Sequence, residues 1–124
     1  MTYKLIVPGR LPGLNEYINC CRSNPYKGAK LKLDAEKIVI AATRKQLRGL
    51  HITKPITMQY TWIEKDKRRD LDNVSSFGRK VIQDALVKTN VIKNDGWNEI
   101  TGFKDTFAVD REHPRIEIIL DTGR

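Results

Sequence analysis

The sequence predicts an α+β fold: a mixed β-sheet with two helices on one face, in the order β-α-β-α-β-β, within a single domain over residues 1–124. Three observations carry this expectation. Residues 55–63 alternate Ile56, Met58, Tyr60 and Trp62 with Thr57, Gln59 and Thr61, the period of two that a half-buried strand requires. Residues 31–50 and 73–89 instead repeat their apolar side chains at helical spacing. Short apolar runs before the first of these stretches and after the second supply the remaining strands.

Taken in order, residues 3–7 form a short strand closed by Pro8-Gly9. Residues 10–30 read as irregular, broken by Pro12-Gly13, Asn24-Pro25 and Gly28. So long a structureless segment is usually functional or mobile. The first helix, 31–50, groups Leu31, Ala35, Ile38, Val39, Ala42 and Gln46 on one side, with Gly49 as its stop. Lys37, Arg44 and Arg48 fall opposite, as a solvated face or a phosphate-contacting one. Residues 64–69 make a charged loop. The second helix places Val74, Phe77, Gly78, Val81, Ile82, Ala85 and Leu86 on one face, and Asn90 suits a left-handed cap. Asn94-Asp95-Gly96 is a turn. Residues 99–109 and 115–120 are closing strands joined around 110–114.

Charge narrows the partner. Lys and Arg number 23 against 15 Asp and Glu, a formal charge of +8 over 124 residues. Such an excess favours a polyanion: nucleic acid first, an anionic membrane surface second. No apolar run has the length of a membrane span, and the N-terminus lacks a signal peptide's long apolar region. The only cysteines, Cys20 and Cys21, are adjacent and poorly placed to bond each other, which points to a reducing, cytoplasmic location. The histidines, His51 and His113, lie far from each other and from the cysteines, so zinc is not expected. Neither a Walker A loop nor GxGxxG is present.

One constellation stands out. Asp70 and Asp72 follow Lys65, Lys67, Arg68 and Arg69. If this segment is extended, both carboxylates project to one side and Leu71 turns into the core. Paired carboxylates repel, and a cation such as Mg²⁺, which takes one or two carboxylates plus waters and phosphates, relieves that repulsion. The competing reading makes Asp72 a helix N-cap and leaves Asp70 exposed. An EF-hand fails, because Val74 and Ser75 stand at its fifth and sixth positions.

Arg69-Asp70-Leu71-Asp72-Asn73, then Lys80, then Asp84-Ala85-Leu86, then Asn94-Asp95 resembles the RusA family of Holliday junction resolvases, typical of phages and prophages. The resemblance is specific over residues 68–99. It implies a homodimer that cuts two opposed strands of four-way junction DNA with Mg²⁺ or Mn²⁺. It implies that Asp70, Asp72 and Asp95 hold the metal and that Lys80 stabilises charge. On this reading Lys65, Lys67, Arg68 and Arg69 contact phosphates, and Arg22, Lys27, Lys30 and Lys32 form a second basic arm. Asp84, one helical turn after Lys80, is placed to pair with it. The chain departs from the family in two places. Asn94 replaces an acid common in the turn. Lys80 lies a turn further from the aspartates, roughly 12 Å along a helix axis from Asp72, and Arg79 is an alternative cation. A DNA-binding module without catalysis, and a metal-dependent nuclease without junction selectivity, are the competing functions.

Overall fold

A computed structural model describes residues 1–123. Its elements run β1 (Thr2–Pro8), α1 (Leu14–Ser23), α2 (Pro25–Gln46), β2 (Ile56–Glu64), α3 (Leu71–Lys88), β3 (Ile100–Val109) and β4 (Arg115–Asp121). The strands form one mixed sheet, β1-β4-β2-β3. β4 is antiparallel to both β1 and β2, and β2 is parallel to β3.

The α+β class and the mixed sheet are as expected, but there are three helices rather than two. The expected irregular segment, 10–30, is mostly helical. Asn24-Pro25 acts as a helix start, not a breaker. The Asn24 Oδ1 accepts the Tyr26 N–H at 2.8 Å, and Pro25 opens α2 where a missing N–H is no loss. α2 therefore begins six residues earlier than residue 31 and ends at Gln46, with Gly49 (φ +75°) in the turn beyond.

Side-chain alternation builds the core. Cross-strand rows Leu5–Ile118–Tyr60 and Val7–Ile116–Trp62 all point to one face and are buried. The helices cover that face. α3 contributes Phe77, Val81, Ile82, Ala85 and Leu86, and α2 contributes Ala35, Val39 and Ala42. Ile38, expected on the same side of α2, is instead exposed. α1 joins through Tyr17, stacked on Phe77 with ring centroids 4.5 Å apart. α3 lies very close to β2: a Cβ at Gly78 would stand 2.7 Å from the Trp62 ring.

The sheet edges differ. Gln46 clamps the β1 edge, its Oε1 accepting the Ile6 N–H and its Nε2 donating to the Ile6 carbonyl, each at 2.7 Å. Among the described residues β3 has a strand partner on one side only. The β2-α3-β3 unit is a parallel crossover, so the carboxyl ends of β2 and β3 meet the N-terminus of α3. In open α/β arrangements that is where ligands bind.

Candidate functional site

A cleft of about 600 Å³ opens at this junction, and Glu64, Asp66, Lys67, Asp70, Leu71 and Val109 are among its lining residues. α3 starts at Leu71, two residues before the expected 73. Asp70 therefore holds the N-cap position that Asp72 was expected to take, and Asp72 lies in the first turn. Leu71 is 60% exposed, not turned into the core, because it is already helical rather than extended. Asp70 makes no side-chain capping bond. Both carboxylates are exposed, and neither has a hydrogen-bond or ion-pair partner among the described residues.

The loop before them is shaped by its own charges. The Asp66 Oδ1 accepts the Arg68 N–H at 3.0 Å, and that bond holds the Asp66 carboxyl below the usual range. The resulting turn leaves Lys65, Lys67 and Arg68 exposed. Arg69 behaves differently. Its Nε and Nη2 donate to the Glu64 carboxylate at 2.9 and 3.0 Å, and its Nη1 donates to the Leu11 carbonyl at 3.1 Å. Its guanidinium, expected on DNA, is thus spent bracing the loop against β2 and the segment before α1. Asn73 is also a brace: its Oδ1 accepts the Asn15 N–H at 2.8 Å, and a Cβ at Gly13 would lie 2.7 Å from that oxygen.

Lys80 and Asp95 meet each other instead of the aspartates at the helix start. The Lys80 ammonium lies 3.1 Å from Asp84, the expected pair, and 3.1 Å from Asp95. Asp84 also binds Lys32 at 2.8 Å, Lys32 faces Glu36 at 3.8 Å, and buried Glu36 binds Lys88. The result is an alternating run: Lys88, Glu36, Lys32, Asp84, Lys80, Asp95. Burial pushes the Asp84 carboxyl up, but hydrogen bonds from Lys32 and Lys80 outweigh it and hold the group below its ordinary range. The same carboxylate raises Lys32, and with Asp95 it raises Lys80.

Lys80 is about 12 Å along the axis from Asp72, and its ammonium is also bound to Asp84, one turn further on. Asp70 at the N-cap and Asp72 in the first turn do not project to one side as an extended segment would have them, because helical residues two apart do not share a face, and Asp95 is left with Lys80. Among the described residues no group of three or more His, Cys, Asp or Glu side chains is placed to hold a metal ion. Arg79 is committed as well, to Asp105, with its guanidinium 4.5 Å from the Phe103 ring centroid. In the second basic arm, Arg22 and Lys27 are exposed on helices, Lys30 pairs with Asp34 at 2.9 Å, and Lys32 sits in the alternating run. Glu64 and Asp66 shape the site and were not singled out by sequence, and Asn73 was read only as part of the motif at the helix start. The opposite charges of Glu64 and Arg69, five residues apart across a loop, were the available signal. No protein-family model matches the chain, and no curated protein matches it.

Proposed function

We propose that this protein is an Mg²⁺-dependent endodeoxyribonuclease, with Mn²⁺ as a substitute, that resolves four-way DNA junctions as a cytoplasmic homodimer. One observation carries the reading. In a chain of charge +8, Asp70 lines a cleft with Lys67, Asp72 follows it in the first turn of α3, both carboxylates stay unpaired, and Lys65, Lys67 and Arg68 in the preceding loop are all exposed.

The donor set fits the metal: Mg²⁺ needs only one or two carboxylates when waters and substrate phosphate complete its shell. Asp70 and Asp72 are the residues that would hold it. When bound, the ion supplies Lewis acidity and an activated water for in-line attack on the phosphodiester. The protein's own groups do the rest. Lys67 lines the cleft and meets the phosphate there. Lys65 and Arg68 hold the flanking backbone without reading sequence. Arg69 and Asn73 keep the loop and the start of α3 in place. Lys80 reaches the reaction only by releasing Asp84 and Asp95.

That commitment of Lys80 and Asp95 favours a second reading, a DNA-binding module without catalysis. One assay separates them: wild type and Asp72→Asn on a four-way junction and on linear duplex, with and without Mg²⁺. The proposal expects paired nicks in the junction, dependent on Mg²⁺ and lost in the variant. Cleavage that survives the substitution removes the metal site. Equal cutting of linear duplex removes junction selectivity. Binding without cutting establishes the module.

A further inference from the structure

The β1 edge is closed, with Pro8 at its end and the Gln46 amide on Ile6. The β3 edge is open along a ten-residue strand. Phe103 and Val109 on that strand are 54% and 49% exposed. A long open edge carrying apolar side chains is a template for another strand.

The strand's own sequence selects the occupant. Two copies pairing antiparallel about a two-fold axis keep each side chain on its own face, so the axis passes through one residue. Centring on Lys104 or Asp105 sets like charges directly opposite. Centring on Thr106 sets Thr106 against the partner's Thr106 and Lys104 against the partner's Ala108. It also sets Phe103 against the partner's Val109, so each copy covers the other's exposed apolar residues. Cross-strand threonine pairs and apolar pairs both favour association.

We infer that β3 pairs antiparallel with β3 of a second copy, with the two-fold axis at Thr106, forming one continuous eight-stranded sheet. This rests on the homodimer of the function proposed above and locates its interface. Val109 lines the cleft beside Asp70. The partner's Phe103 therefore becomes part of that cleft's wall, and each site is completed by the other subunit.

Cysteine cross-linking tests the register in a Cys20→Ser/Cys21→Ser background. Directly opposed Cα atoms lie about 4.5–5.5 Å apart, within disulfide reach. Thr106→Cys should form a covalent dimer under mild oxidation. Lys104→Cys should not, since that pair is offset by four residues, about 13 Å. Lys104→Cys/Ala108→Cys should cross-link again. Independently, Val109→Lys and Ala108→Lys, both at exposed positions, should sediment as monomers while keeping the wild-type circular dichroism spectrum. A monomeric wild type, dimers that persist in both lysine variants, or equal cross-linking at 104 and 106 would each overturn the inference. Asp72→Asn should cross-link like its parent, so failure here is separable from failure of the nuclease reading.

Discussion

The two halves of α3 use the same residue types in opposite states. At its start, Asp70 and Asp72 are exposed and unpaired. From Lys80 onward every charged side chain on the helix is bound to another: Lys80 to Asp84 and Asp95, Asp84 also to Lys32, Lys88 to Glu36. A charge that has a partner builds structure. A charge without one keeps its ligand capacity. The difference separates the half of the helix whose charges are tied into the fold from the half whose carboxylates are free, the half to which the proposed function assigns the metal.

Five substitutions break or sharpen this contrast, the first four in falling order of effect and the fifth as a contrast to the fourth. Asp70→Asn should abolish Mg²⁺-dependent junction cleavage. It should move stability by only about 0.3–1 kcal/mol, since an acid at a helix start is favoured by the dipole. Paired cleavage assays and urea melts check both halves of that statement. Lys88→Met inverts the pattern: it leaves buried Glu36 with only a distant Lys32 at 3.8 Å. Stability should fall by about 1–3 kcal/mol, the cost of an under-satisfied buried group, with the cleft chemistry retained.

Asp84→Asn probes the alternating run through pH. The Asp84 carboxyl titrates below its ordinary value when folded, so its stabilisation is present above the unfolded value of about 3.9 and is lost as pH falls through the folded one. Lys32 and Lys80 are raised, so their contribution is complete below the ordinary lysine value and is lost as pH rises through the folded values. The variant should show shallower acid and alkaline limbs in a plot of melting temperature against pH, around a lower plateau. An unchanged profile would mean that the run adds no net stability. Smallest of all is Lys67→Ala. It should leave the melt within about 0.5 kcal/mol of wild type and reduce the slope of log affinity against log salt by about one. Arg69→Ala should instead loosen the fold, because its guanidinium is committed to Glu64 and Leu11.

What could be read from sequence followed periodicity. Every apolar residue assigned to the inner face of α3 is buried there, because an 18-residue helix repeats its pattern often enough to be unambiguous. The alternation in β2 was equally plain. Asn24-Pro25 was misread because the same pair ends one helix and starts the next, and only the Asn24 side chain's bond to Tyr26 distinguishes those roles. The start of α3 was misplaced because two aspartates two residues apart both suit a cap. In the site, Asp70, Asp72 and the exposed cations were visible as residue types. The union of Lys80 with Asp95 was not, since it depends on where the turn after α3 returns in space. The same holds for Arg69, which ends a run of cations in sequence but whose contacts are Glu64 and a carbonyl from before α1.

The alternating run from Lys88 to Asp95 holds as many positive as negative groups, so as a unit it is neutral. The whole surplus of +8 therefore belongs to the rest of the molecule. A body charged unevenly in this way feels a torque as well as an attraction in the field of a polyanion. In such a field the neutral ladder would turn aside and the cation-rich surfaces forward before any contact formed. The salt links that fasten α2 to α3 would thus also bear on which side a polyanion met first.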